Sequence, residues 1–286
     1  MTSPDPRRTP WRADLAAAGL EGQVPSGRFV AGVPRRVWLG AASLKAAPDE
    51  AAGQTSQLLF GEGFTVYEEA GGWAWGQNRT DGYVGYVRSA ALGAEGRAPT
   101  HRVWALRTFL YPEPNLKVPP LDALSLTTAV AVAGEREGWA ELDGGGWVFG
   151  GHLAPLDRVE PDIAGTACRL LGVPYLWGGR TSLGLDCSAL VQIALAAAGV
   201  AAPRDSDMQR AETGVSLGAV AADGHGVTVR RGDIVFFPGH VGIMIDDHRL
   251  VHATAFAMAV TLEPLAAVVA RTDPTRGGGL LAVRRL

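Results

Sequence analysis

The chain has 286 residues, 47% of them hydrophobic and 19% charged, with a mean hydropathy of +0.08; it is too long for one minimal module and too apolar for wholesale disorder. Lys and Arg number 26 against 29 Asp and Glu, a net charge of −3, which argues against nucleic acid as a partner because a phosphate-tracking surface needs an excess of cations. The 38 Gly and 18 Pro, about a fifth of the residues, predict many turns and short strands.

Residues 1–40 mix Pro and Arg with a short Ala-rich segment, Asp14 to Gly19, that reads as a helix in an arm lying against the body. The arm has no apolar run of about 7 to 15 residues after its basic pair. No stretch of about 18 apolar residues follows anywhere, so no membrane partner is expected and a cytoplasmic protein is the default. From Leu58 the segments LLFGEGFTVYEE, AGGWAWGQN and DGYVGYVRS alternate apolar and polar residues between Gly and Asn/Asp turns, as short strands do. A second module, LDALSLTTAVAVAGEREGWAELDGGGWVFGGHLAPL, repeats the order of strand, turn, Gly-Trp-Ala, turn and aromatic strand. Trp73, Trp75, Trp139 and Trp147 follow the strands of these modules and read as core filling rather than carbohydrate platforms.

A boundary near Pro155 to Pro161 precedes two helices, IAGTACRLLG and CSALVQIALAAAG, the second ending at Gly199. Beyond a polar loop from Pro203 to Arg231 come three strands, GDIVFFPG, HVGIMID and RLVHAT, the last two joined by a solvated turn at Asp246 and Asp247. Runs of helix followed by runs of strand predict an α+β domain.

There are two cysteines, too few for a disulfide framework or a four-Cys zinc site. Cys168 sits within an apolar helical pattern and reads as a small core hydrophobe. Cys187, in GLDCSALV, opens a helix, where free N–H groups and the macrodipole favour an anion; a depressed pKa and a nucleophilic thiolate are expected. Among the six histidines, His240 begins the strand HVGIM and His252 lies in LVHA on the next, so a hairpin can bring base and orienter to the thiol. His101, His152, His225 and His248 show no paired ligand spacing; no metal site and no cofactor is expected. Asp186 and Ser188 read locally as helix caps, and Tyr175 as a core aromatic.

The ordered series PYLWGG, DCSALV, GDIVFF, HVGI and LVHA resembles the NlpC-type family of papain-like cell-wall cysteine peptidases over about residues 162–286. Residues 40–156 resemble bacterial SH3-like barrels. The resemblance implies an α+β chain, a papain-like C-terminal catalytic domain preceded by two small SH3-like β-barrels: arm 1–40, SH3-like domains 41–98 and 99–157, peptidase 158–286. It implies Cys187 as nucleophile, His240 as general base and His252 as orienter, 53 residues separating the first two and 12 the last two. Tyr175 would lie by the oxyanion with the Cys187 backbone N–H. In members with SH3-like domains an Asp-Cys-Ser triplet helps bind the free α-amine of the substrate, which places Asp186 and Ser188 there. A tyrosine and an acid from the first SH3-like domain complete that pocket; Tyr83 is the candidate tyrosine, while the match at Glu50 is poor.

The implied activity is hydrolysis of the γ-D-glutamyl bond to a diamino acid in short muropeptides with a free N-terminal L-Ala, in peptidoglycan recycling. The alternatives are an amidase or acyltransferase on the same scaffold, or a catalytically silent wall-binding adaptor, against which the intact Cys and two His argue.

Overall fold

The computed structural model describes residues 4–217, 228–272 and 279–286; His225 and part of the Pro203 to Arg231 segment lie outside them. The chain divides into two compact units, Met1–Leu156 and Asp157–Leu286.

In the first unit, strands Gln54–Leu59, Ala41–Lys45, Val84–Arg88, Trp73–Asn78, Gly63–Ala70, Val33–Val37 and Leu92–Gly93 lie in that order in one sheet. Its pairing is open among the described residues, not closed into the expected barrel. Gly63–Ala70 shows the period-2 burial of a strand with one face in the core, Phe64 and Val66 inward with Thr65 and Tyr67 less covered. Phe64 and Val66 join Val37, Leu44, Leu58, Ala74, Tyr83 and Val87 in a single apolar cluster. Residues 99–156 build three short sheets instead: Ala129–Val130, His101–Val103 and Leu153–Pro155; Arg107–Leu110 with Asp122–Ser125; and Val132–Arg136, Trp139–Leu142 and Trp147–Phe149. Their core gathers Val103, Leu110, Leu124, Val130, Leu142 and Val148, with Trp38 and Phe60, which directly follow strands Val33–Val37 and Gln54–Leu59, packed against them.

Trp73 and Trp75 are buried, each with an arginine stacked on it, Arg88 at 4.2 Å and Arg12 at 4.5 Å. Trp139 packs edge-on against Tyr111 and Phe149. The arm departs from expectation. Ala16–Ala17 pairs in parallel with Phe29–Val30, and only a single 3-10 turn, Ala18–Leu20, follows. Six residues without a side-chain cap do not repay helix nucleation, whereas Leu15 and Ala16 gain full burial as extended chain.

The second unit packs helices α1 (Ile163–Cys168) and α2 (Cys187–Ala197) together and sets α2 on an antiparallel sheet. The sheet order is Val215–Ser216, Ala282–Arg285, Ile234–Phe237, His240–Met244, Arg249–Thr254 and Ala259–Pro264. Helix α2 is buried nearly all round, with Ala189, Leu190, Val191, Ala194 and Leu195 without exposure, so it is the core rather than a surface helix. Gly199, at φ +77°, takes the left-handed conformation that ends it. The polar segment from Pro203 holds a third helix, α3 (Ser206–Glu212), and a fourth, α4 (Leu265–Arg271), follows the last-named edge strand.

Candidate active site

Cys187 is the first residue of α2, and Asp186 caps that helix by accepting from the Ala189 N–H at 2.9 Å. The approach to the cap is laced to its surroundings. Leu176 N–H bonds Leu185 C=O, Asp186 N–H bonds Gly179 C=O, and Tyr175 N–H bonds Met258 C=O. The thiol is therefore held by backbone on both sides rather than carried on a free loop.

Opposite, Pro238 and Gly239 form a two-residue turn, proline fixing its own φ and glycine at φ +68°, so that Phe237 pairs directly with His240. His240 thus has its place set at the first residue of its strand. The next hairpin pairs Ile243 with Val251 and Met244 with Leu250. Carried on, this register puts His252 across from Gly242, on the face that His240 also shares. The imidazoles meet there, His240 Nε2 to His252 Nδ1, at 2.7 Å. Gly242 permits the approach: a Cβ at that position would lie 3.1 Å from His252 Cβ and 2.6 Å from Leu250 Cδ1.

The electrostatics differ from the sequence expectation at the thiol. Burial to 7% exposure and the neighbouring Asp186 carboxylate push Cys187 up to about 12, although hydrogen bonding from the Val241 and Ser188 backbone works the other way. Burial and the neighbouring His252 and Arg271 bring His240 down to about 3, and burial lowers His252. Both directions favour the uncharged forms, thiol and neutral imidazole. Tyr175, half-buried, is pushed up by burial and by Cys187 and Asp186, which places its phenol in the electrostatic neighbourhood of the sulfur.

The lowered histidines link stability to pH. Below their ordinary value of about 6.5 the unfolded chain binds protons that the native chain does not, so stability falls as pH falls. Urea unfolding between pH 6.5 and 5 is expected to show a falling midpoint. His240→Gln should flatten that slope, and an unchanged slope would mean that the histidines do not carry it.

Asp186 and Ser188 are placed as structural parts. The Asp186 carboxylate accepts from Gly178 N–H, Ala189 N–H, Ser188 Oγ–H and both terminal nitrogens of Arg204, at 3.0 and 2.5 Å. Ser188 Oγ also accepts from Arg204 at 2.8 Å. Arg204 is 1% exposed, and its charge is matched by Asp186. Gln209, wholly buried on α3, donates to the backbone carbonyls of Ser188 and Pro203. Asp186 thus caps the nucleophile's helix and pairs with Arg204. In the first unit Tyr83 is 6% exposed and packs in the core of the first sheet, whereas Tyr86 is half-buried and accepts from Arg12. Glu50 pairs with Arg88 in the first unit.

Two further groups adjoin the histidines that sequence reading did not single out, Glu263 and Arg271: Glu263 takes His252 at 3.1 Å and Arg271 at 2.7 Å. A 240 Å³ cavity opens beside His240, lined also by Phe237, Thr254, Val268 and Arg271. Cys168 is half-buried at the end of α1, its pKa raised by burial.

Residues 172–272 match the NlpC/P60 family, and residues 44–92 match the bacterial dipeptidyl-peptidase SH3 domain. The chain is 27% identical over 260 residues to a gamma-D-glutamyl-L-lysine dipeptidyl-peptidase of Bacillus subtilis, covering 80% of each chain. It is 25% identical over 242 residues to the protein of the same name from Bacillus cereus, covering 73% of this chain and 70% of that one. The crystal structure of an NlpC/P60 family protein from Bacillus cereus superposes with a TM-score of 0.72 at 21% identity, covering 88% of this chain and 99% of the other. This chain therefore carries an NlpC/P60 peptidase domain with a bacterial SH3 domain ahead of it, and it is a cysteine peptidase.

Proposed function

We propose that the protein hydrolyses the γ-D-glutamyl bond to a diamino acid in short cell-wall peptides, counting from a free N-terminal L-Ala. The observation that carries the chemistry is a cysteine at the start of a buried helix that packs on the strand bearing His240, itself joined to His252. The bond and the end-specificity are supported by the names of the two Bacillus relatives, which this chain matches over most of its length.

In this reading Cys187 gives its proton to His240 as its sulfur attacks the amide carbon, and the carbonyl oxygen becomes an oxyanion beside Tyr175 and the Cys187 N–H. The S–C bond forms, the C–N bond breaks and the proton leaves on the departing amine. Water, deprotonated by His240, then cleaves the acyl-enzyme and restores the thiol. With burial favouring the uncharged forms of both groups, the thiolate arises in the step itself rather than beforehand. Asp186, Ser188, Arg204 and Gln209 hold the nucleophile's helix.

Residues 99–157 fit the same reading as a second SH3-like module after 41–98, with the peptidase domain at 158–286. Short, free-ended peptides are the products of wall turnover, so a role in peptidoglycan recycling inside the cell completes the proposal.

The test is incubation with L-Ala-γ-D-Glu-L-Lys, its meso-diaminopimelate counterpart and the N-acetylated form of each, with products identified by mass. Release of L-Ala-γ-D-Glu from the free tripeptides is expected, and acetylation, which removes the amine's charge and adds bulk at that end, should lower kcat/KM by about 100-fold. Comparable rates on free and acetylated peptides would indicate an open-ended endopeptidase instead.

A further inference from the structure

The face that joins His240 to His252 does not stop there. His252 pairs with Thr261 on the edge strand Ala259–Pro264, so Glu263, two residues beyond Thr261, lies on the same face as His252. Three adjacent strands thus place His240, His252 and Glu263 in a row, with contacts of 2.7 and 3.1 Å. Arg271 of α4 ends the row, bonding the other Glu263 oxygen at 2.7 Å while stacking 4.1 Å over Phe256. His252 has no exposure, and the Glu263 side chain retains 16%. Besides the Cys187 thiol that the proposed mechanism sets against His240, the charged and titratable groups acting on the two histidines are each other, Glu263 and Arg271.

We propose that Glu263 is a positioning residue of the peptidase, fixing the tautomers of both histidines so that His240 turns a bare Nδ1 lone pair to the thiol. The proposal rests on the reading of His240 as the base. An ionised carboxylate only accepts, so the proton of His252 sits on Nε2 and is donated to Glu263. The Nδ1 of a neutral His252 is then without a proton and accepts from His240 Nε2–H. A neutral His240 whose proton is on Nε2 has Nδ1 unprotonated, and that atom takes the Cys187 proton. Arg271 keeps Glu263 ionised: its hydrogen bond, with that of His252, holds the carboxyl below the usual range despite partial burial. When His240 becomes an imidazolium during the reaction, the row of hydrogen bonds ends on a negative charge that favours it. The role parallels that of carboxylates behind metal-bound histidines, which orient a ring without touching the reacting atoms.

The experiment uses the full chain labelled with ¹⁵N at histidine. In the wild type, ring-nitrogen spectra are expected to show both His240 and His252 protonated at Nε2. Glu263→Ala should move His252 to a mixture of tautomers and lower kcat by about 10- to 100-fold with KM unchanged. Glu263→Gln, which keeps an acceptor and the side-chain volume, should fall between the two and guards against a folding defect in the alanine variant. Wild-type tautomers in both variants, or Nδ1–H on His252 in the wild type, would overturn the proposal, as would a loss confined to KM. The spectra need no substrate. If the wild type failed to cleave the tripeptides yet the tautomers shifted as described, the proposed substrate would fall and the positioning role would stand.

Discussion

Cys187→Ala is expected to bring hydrolysis down to the uncatalysed background, a loss of about 10⁴-fold or more, with the fold intact. The sulfur is one buried atom at a helix start, and alanine is the best helix former, so the stability change should stay near about 1 kcal/mol. Product mass spectrometry measures the first effect and thermal unfolding the second. Cys168→Ala should leave turnover unchanged, since that side chain ends a different helix. His240→Ala should approach the cysteine variant in severity, and His252→Ala should be milder, because a base moves the proton whereas an orienter only holds the ring. Wild-type turnover by Cys187→Ala would remove the thiol from the mechanism.

The largest effect on stability is expected at a residue that does no chemistry. Arg204→Met leaves the Asp186 carboxylate buried with neutral donors only, and removing one partner of a buried ion pair costs about 3–5 kcal/mol. For a unit of this size that corresponds to a fall in Tm on the order of 10 °C. The double variant Asp186→Asn/Arg204→Met should recover much of the loss, because no charge is then left unpaired. Urea unfolding of the three proteins provides the comparison. A loss below about 1 kcal/mol in the single variant would mean that solvent reaches the carboxylate and replaces the guanidinium.

The residues that define the hairpin and the nucleophile's helix were legible because each obeys a local rule. HVGIM and RLVHAT alternate or run apolar between turn residues, and CSALVQIALAA is apolar for three turns and closes on a glycine. Cys187, His240 and His252 were likewise visible as rare residue types in an ordered setting. The Asp14 to Gly19 segment misled because alanine's helix propensity is small against burial in an extended pairing. Helix α3 went unread within a polar segment, since its seven residues include three charged ones, yet Met208 and Gln209 are buried. Arg204, Gln209, Glu263 and Arg271 were invisible for a different reason. A charged residue in a single sequence reads as solvent-facing, and only the tertiary packing shows which charge is turned inward and against what. The cysteine's electrostatics were missed on the same ground: the helix terminus and the carboxylate of Asp186 are local, but the desolvation arises from packing.

Gly242 has no functional group, yet the space it leaves empty sets a limit on how this protein can be engineered or can drift. Alanine at a strand glycine is an ordinary route to heat resistance, because it narrows the unfolded ensemble. Here the added methyl would press on His252 and Leu250, so the gain in the unfolded state would be offset by displacement of an imidazole whose neighbour is 2.7 Å away. Libraries built to toughen the peptidase domain would lose activity at this position before they gained stability, whereas Gly53, where a methyl would meet nothing within 4 Å, offers room without that conflict.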